Sequence, residues 1–379
     1  MAADLQQVVL DRVERAIDDQ WCSAAAVVVK QSGRTLARVG AGVLGRIEHD
    51  PDGTATPVGG RLIANPVAAD ALTWFDLASV TKVFSAVTLL SLVESGRLDL
   101  DEPIATHLPS FATNPDRQRI TLRMLLTHTA GLPPTWMGWF GAVDVETSAA
   151  PGRTRDDLLD DLLQLPLDHS PATAWQYSCV GYNTAMALAE TVTGREWGDL
   201  VEDLVLAPLD LSAGIAFSPA GPVAATEYEP EFGRGVVQGI VHDETAWALG
   251  GRCANAGLFG TVDALATFAE ALRTDELPCR SEALVANALP GILGRPLADE
   301  ADAPWGHSLG LRIGQDWMGS ASAVGHTGFT GTSIMVDRDR ELSVVVLANR
   351  VHPRRRDDQV HRLRAEVCAA ALATAAGAA

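Results

Sequence analysis

From Ser79 the chain runs through Val80, Val83, Phe84, Leu89, Leu90, Leu92 and Val93 to Gly96, apolar on nearly every side, the pattern of a helix buried in the middle of a protein. The segments around it are patterned differently. Leu5, Val8, Val9, Val13 and Ile17 share one face of an N-terminal helix whose other face carries Asp11, Arg12, Glu14 and Arg15. Ala24 to Lys30 and Arg34 to Gly40 are β-rich runs joined at Gln31-Ser32-Gly33, which predicts a hairpin. Residues 49–70, rich in Pro, Gly, Asp and Ala, predict a long loop, and Trp74-Phe75-Asp76 a short strand leading to Ser79. Beyond Gly96, Leu98 to Pro109 reads as an Asp-rich loop and Ile120 to Thr127 as a short helix ended by His128-Thr129-Ala130-Gly131. Arg155 to Leu165, Gly181 to Thr193, Trp197 to Leu206 and Val262 to Leu272 are helical.

The last quarter changes period. Leu309 to Ile313, Ala323 to His326, Thr332 to Val336 and Leu342 to Ala348 read as strands, the last two joined at Asp337-Arg338-Asp339-Arg340, and a final amphipathic helix carries Val360, Leu363 and Val367. Strands at both ends around a helical middle predict an α/β (α+β) fold: one antiparallel sheet built from both chain termini, flanked by terminal helices, with a mainly helical domain inserted. The expected division is 1–75 with 305–379 for the sheet domain and 76–304 for the helical domain, with the active site in the cleft between them.

Composition narrows the function more than the fold. The 379 residues are 47% hydrophobic and 20% charged, an ordinary globular balance. A formal charge of −19 argues against nucleic acid and anionic membrane surfaces as partners. No secretory signal is read at the N-terminus, and no apolar run approaches the about 20 residues needed to span a bilayer, so the expected compartment is the cytoplasm. Five scattered cysteines without C-x-x-C spacing suit a reducing compartment and offer neither a zinc nor a disulfide framework.

Against this background the first turn of the buried helix stands out. Ser79 sits where an N-cap or first residue belongs, and Lys82 lies one turn on, facing the positive end of the helix dipole, a poor place for a cation on stability grounds. Lys82 is one of only two lysines in the chain, the other being Lys30. Serine becomes a nucleophile when an adjacent base takes its proton, and lysine serves as that base once burial and the dipole depress its pKa. The alternative is a serine cap followed by a lysine reaching solvent.

Other stretches offer chemistry of unequal quality. Gly306-His307-Ser308-Leu309-Gly310 matches the G-x-S-x-G nucleophile elbow, but the strand alternation of Leu311, Arg312 and Ile313 after it is the wrong context, since the elbow needs a helix there. Tyr177, in Trp175-Gln176-Tyr177-Ser178-Cys179, is either a hydroxyl aimed into a cleft or a core tyrosine. His326, in Gly325-His326-Thr327-Gly328-Phe329-Thr330-Gly331-Thr332, presents its ring and nearby backbone N–H groups to a ligand or sits in a turn after an edge strand. Trp136, Trp139 and Phe140, with Trp175, line an apolar acyl pocket or pack on their own core. His242-Asp243-Glu244 has no H-E-x-x-H spacing and reads as structural or as cleft rim, and no metal or cofactor is expected.

Taken together and in order, Ser79-x-x-Lys82, Tyr177-Ser178-x and His326-Thr327-Gly328 resemble the serine β-lactamase and penicillin-binding-protein superfamily, and within it the branch of class C β-lactamases, DD-peptidases and family VIII esterases. Leu125-Leu126-Thr127-His128-Thr129-Ala130-Gly131-Leu132 is similar to that family's L-L-x-H-T-S-G-L segment, and Gly96-Arg97-Leu98-Asp99-Leu100-Asp101-Glu102-Pro103 to its G-x-L-x-L-D-x-P. The resemblance, spanning roughly residues 20 to 350, implies a β-lactamase/transpeptidase-like fold in which Ser79 forms an acyl-enzyme, Lys82 takes its proton, and Tyr177 shuttles a proton to the leaving group. It implies that His326, where many relatives place lysine, bonds towards Tyr177 or the substrate, and that the backbone N–H groups of Ser79 and Phe329 form the oxyanion hole. Cys179, Thr327 and Gly328 fall at its substrate-binding positions. Cys179 departs from the asparagine usual in amide-cleaving relatives, which shifts the expectation towards a small-molecule ester, with an amide second. Acyl transfer, D-amino-acid peptidase or amidase action and β-lactam hydrolysis remain alternatives on the same site, and a non-catalytic acylated sensor is the alternative of another class.

Overall fold

A computed structural model describes residues 2–48, 60–140, 153–293, 306–357 and 359–377. Its frame is a seven-stranded antiparallel sheet made from the two ends of the chain. The strands are β1 (Ala24–Gln31), β2 (Arg34–Gly42), β3 (Gly306–His307), β4 (Arg312–Ile313), β5 (Val324–Thr327), β6 (Ser333–Asp337) and β7 (Leu342–Ala348), in the order β3-β4-β5-β6-β7-β1-β2. The β1–β2 connection turns at Ser32 and Gly33, both at positive φ, as a tight hairpin with right-handed strand twist requires.

The central strands are apolar at nearly every position because both faces are covered. Ala24, Ala26 and Val28 with Ile334, Val336, Val345 and Leu347 point into the larger core, towards the helical part of the chain. Ala25, Val27 and Val29 with Met335, Val344 and Val346 point the other way, onto α1 (Ala2–Asp18) and α9 (Val360–Ala376). The helical part comprises α2 (Thr81–Glu94), α3 (Leu122–Leu126), α4 (Arg155–Leu163), α5 (Cys179–Thr193), α6 (Trp197–Val201), α7 (Glu244–Ala248) and α8 (Val262–Thr274), with several single turns. From Thr81 through Leu92 every residue of α2 is buried, polar ones included.

The sequence pattern places most elements within a few residues and misses in two instructive places. The expected strand from Leu309 to Ile313 is broken, because Gly310 adopts φ +124° and a Cβ there would fall 2.5 Å from Ala86 Cβ of α2. The chain folds into the short β3–β4 hairpin instead. The helix expected from Ser79 begins at Thr81, after a separate 3-10 turn Ala78–Val80, and no side chain caps α2. Of the expected loop 49–70, residues 49–59 lie outside the described part; Arg61–Leu62 pairs with Ile47–Glu48 and Ala68 bridges to Val43. No described helix is long and apolar enough to cross a membrane.

One side chain locks the sheet to the rest. Asn349, directly after β7, accepts from Ser23 N (3.0 Å) and Ala24 N (2.9 Å) and donates to Ser23 Oγ and Ala225 O (both 2.8 Å), so its amide is fully used although buried. Asn349→Ala strands two buried N–H groups and a carbonyl, and is expected to lower unfolding free energy by on the order of 3 kcal/mol, measured by denaturant titration.

Candidate active site

Asp76 prepares the turn that carries Ser79. Its carboxylate is buried and accepts Ala78 N (2.7 Å) through Oδ1 and His242 N (2.7 Å) through Oδ2; burial nonetheless raises its pKa. Ala78 stands at φ +46°, a left-handed conformation costly for a residue with a Cβ, and the Asp76 bond fixes it there. The result places Ser79 half-exposed at the mouth of an otherwise buried helix.

Lys82, wholly buried one turn on, donates to Ser79 Oγ at 3.0 Å and to Asn255 O at 2.8 Å, and its Nζ lies 3.5 Å from Cys179 Sγ. The neighbours of Lys82 grip the same segment as Asn255: Ser85 Oγ donates to Ala254 O and Thr81 Oγ1 accepts Leu258 N. Asn255 carries no signal in the sequence beyond the glycines around it.

The depressed lysine pKa expected from burial is reversed. Burial is the largest influence and pulls the pKa down, but the negative charges that Cys179 and Tyr177 carry when ionised, a hydrogen bond to Tyr177 and the charge of Asp243 outweigh it, and the net direction is upward. Cys179 is moved up as well, by burial first, so its thiol stays neutral.

Tyr177 arrives on the loop before α5, its ring centroid 5.0 Å from Lys82 Nζ. Ser178 caps α5 by accepting Gly181 N, donates to Pro133 O, and gives its own N–H to His128 Nδ1. Ala172 N and Gln176 N bond to Thr129 O and His128 O, so the His128–Gly131 stretch is the mould that shapes the tyrosine loop. On the other side of Tyr177 the guanidinium carbon of Arg312 is 5.3 Å from the ring centroid, and the His326 ring lies at 6.3 Å.

His326 belongs to β5 and is buried. Its Nδ1 meets Thr327 O at 2.9 Å; a carbonyl only accepts, so Nδ1 carries the hydrogen and Nε2 offers a lone pair. Burial, then Arg312 and Lys82, depress its pKa well below the imidazole range, leaving the ring neutral at physiological pH. Beside it, Gly328 passes so close to Leu77 that a Cβ would stand 2.5 Å from Leu77 O, while Thr330 and Thr332 hydroxyls donate to Asp76 O and Leu77 O. The β5–β6 turn is thus stitched to the strand that leads to Ser79, and Phe329, 45% exposed, sits at its tip.

The remaining sequence candidates are distributed unevenly. Trp175 faces the rings of His128 and His307. Trp136 and Trp139 are buried, Trp139 edge-on to Trp247, Phe232 and Phe140, which leaves Met137 and Phe140 as the exposed apolar side chains of that loop. Ser308 of the G-x-S-x-G match is buried and bonded to Leu311 O, far from a nucleophile's requirements, whereas its neighbour His307 packs edge-on against His128. Asp76, Asn255, Arg312 and His307 are the site residues that sequence reasoning passed over.

Comparison with known proteins bears on the family and the fold. The family profile described as Beta-lactamase matches residues 10–369. The chain is 28% identical over 367 residues to an N-acetylmuramyl-L-alanine amidase of Bacillus subtilis (strain 168), covering 90% of this chain and 80% of that protein. Among solved structures it resembles EstCE1, a hydrolase with promiscuous acyltransferase activity, with TM-score 0.69, 19% identity and coverage of 98% and 99% of the two chains. It also resembles simvastatin synthase from Aspergillus terreus, in a mutant form, with TM-score 0.70, 19% identity and coverage of 99% and 96%. At these identities the solved structures speak to the fold.

Gly328 supplies a sharp check of the site. In Gly328→Ala the new methyl forces the β5–β6 turn away from Leu77, and the rate at which a fluorophosphonate labels Ser79, followed by intact mass, is expected to fall by about a hundredfold, in line with misplacing reacting groups by about 1 Å.

Proposed function

Because the chain belongs to the beta-lactamase family, we propose that it is a serine hydrolase that cleaves an ester, and less readily an amide, of a small molecule through an acyl-enzyme on Ser79. The observation that carries this reading is the 3.0 Å bond between Lys82 Nζ and Ser79 Oγ, made by a buried lysine with Tyr177 and His326 around it. A lysine held there for packing alone would be a costly substitute for methionine or leucine.

In the proposed reaction the substrate carbonyl carbon lies over Ser79 Oγ, with its oxygen towards the backbone N–H groups of Ser79 and Phe329. The serine proton is taken up by the Lys82–Tyr177 pair, an amine beside a phenol or its tautomer with an ammonium beside a phenolate, which leaves Lys82 charged beside a neutral Tyr177. The tetrahedral oxyanion gains on the order of 3 kcal/mol from a fixed N–H donor that needs no reorganisation. Collapse breaks the bond to the leaving oxygen, which takes the proton from Tyr177. Water then attacks the acyl-enzyme by the same path reversed. His326, neutral, offers its Nε2 lone pair as an acceptor towards Tyr177 or the substrate.

Cys179 supports the ester preference. Its neutral thiol lies beside Lys82 and is a weak donor and acceptor, so it gives a substrate amide little to bind. A second reading, as amidase or peptidase, draws on two observations: the B. subtilis relative is named as an amidase, and the Arg312 guanidinium beside Tyr177 would attract a leaving group bearing a carboxylate.

Two measurements test these readings. Intact-mass labelling with a fluorophosphonate and, in parallel, a penicillin, followed by peptide mapping, is expected to place the phosphonate on Ser79; steady hydrolysis of a short-chain p-nitrophenyl ester that survives in Ser79→Ala sinks the mechanism. Cys179→Asn is expected to raise acylation by the penicillin about tenfold, the worth of one good hydrogen bond, relative to the ester. An unchanged ratio removes Cys179 as the origin of the preference.

A further inference from the structure

His242 opens the His242-Asp243-Glu244 run, and its imidazole is buried at the edge of the site. Nε2 lies 3.1 Å from Glu227 Oε2 and 3.6 Å from Glu229 Oε1, and the donor atoms of all three fall within 4.8 Å of one another. That donor set would suit a cation, but its carboxylates are already taken. Arg355 reaches Glu227 (2.6 Å), Glu244 (3.0 Å) and Glu229 (3.2 Å), and Arg234 reaches Glu229 (3.2 Å). Two guanidinium groups against three carboxylates leave a place for one more positive charge, which an imidazolium fills.

The same ring is a platform. Phe329 stacks on it with centroids 5.7 Å apart and planes 20° from parallel, while the guanidinium carbons of Arg350 and Arg355 lie 4.5 and 5.5 Å from the Phe329 centroid. Arg350 Nε also donates to Phe329 O at 2.6 Å. From its backbone, His242 gives its N–H to the Asp76 carboxylate, whose other oxygen holds Ala78 N. One residue therefore touches both segments that carry the proposed oxyanion donors, by its ring on the Phe329 side and by its backbone on the Ser79 side.

We infer that protonated His242 is the positioning residue of the oxyanion hole, its imidazolium fixing Phe329 and its N–H, through Asp76, fixing the turn of Ser79. This rests on the acyl-enzyme reading given above. The groups facing the ring are Glu227 and Glu229, two positions apart on one segment, Glu244 from α7, Asp76 ahead of Ser79, and Arg234 and Arg355. Burial alone would lower the His242 pKa, but the Glu227 hydrogen bond and the charges of Glu229, Glu244 and Asp76 prevail and raise it. A raised value means the charged form persists to higher pH than in an ordinary imidazole and is lost as pH rises through it, so positioning fails on the alkaline side.

The experiment compares wild type, His242→Phe and Phe329→Leu by ester kinetics against pH, with the rate of fluorophosphonate labelling of Ser79 as a second readout. His242→Phe keeps a flat ring without the charge; it is expected to lose about tenfold in kcat with KM little changed, and to lose the alkaline decline expected of wild type. Phe329→Leu alters an exposed side chain, keeps the backbone N–H, and is expected to show the same kcat loss even should His242→Phe fold poorly. Wild-type kcat in Phe329→Leu, or a wild-type alkaline decline in a folded His242→Phe, overturns the inference. Inactivation of wild type by dialysis against EDTA, reversed by zinc, overturns it in favour of a metal at the same residues. Absence of label on Ser79 in wild type defeats the acyl-enzyme reading itself, whereas normal labelling with unaffected variants defeats this inference alone.

Discussion

A lysine amine with no exposure to water has to find its counterparts inside the protein, and Lys82 sets that condition on everything near it. It finds a serine hydroxyl, a backbone carbonyl and a thiol. Holding those three in place requires α2 to be enclosed on all sides, the 254–258 segment to be pinned by Thr81 and Ser85, and the Tyr177 loop to be moulded on His128–Gly131. Structure and chemistry are the same requirement here. Removing any acceptor leaves a buried charge uncompensated, at a cost of several kcal/mol, so the groups that stabilise the lysine are also the ones that hold it ready.

The sequence was most legible where a physical period or a steric rule acted locally. The all-round apolar helix, the doubly covered strands and the hairpin at Ser32-Gly33 follow from pattern alone, and the order serine–lysine, tyrosine, histidine identified the three segments that the fold brings together. What escaped were effects of long-range approach. The left-handed turn at Ala78 exists because Asp76 is tethered to a loop 166 residues away, and Asn255 contributes a backbone oxygen, which no residue type announces. The pKa of Lys82 was misread for the same reason: burial is foreseeable from a buried helix, but the neighbouring Cys179 and Tyr177 come from elsewhere in the chain.

The G-x-S-x-G match shows the converse, a motif explained by packing. Gly310 is present because α2 presses against it, and Ser308 satisfies its own hairpin. Its histidine joins a group of buried imidazoles, His128, His307 and His326, all depressed in pKa by burial and by the surrounding cations. Their neutrality keeps further positive charge away from Lys82. By contrast His242, only a loop away from the same site, is surrounded by carboxylates and moves in the opposite direction. One chain thus moves buried histidines in opposite directions, because carboxylates around His242 outweigh the burial that prevails at the other three.

The seven-stranded sheet pairs β1, near the start of the chain, with β7, near its end. Ribosomal synthesis releases Ser79 and Lys82 early, but the strand carrying His326 and the turn bearing Phe329 emerge some 250 residues later, about twelve to fifty seconds at ordinary elongation rates. During that interval the nascent chain holds the proposed nucleophile without the segments that surround it and an apolar helix without its cover. Activity is therefore a property of the finished chain, and chaperones have their opportunity to act before the last strand closes the sheet.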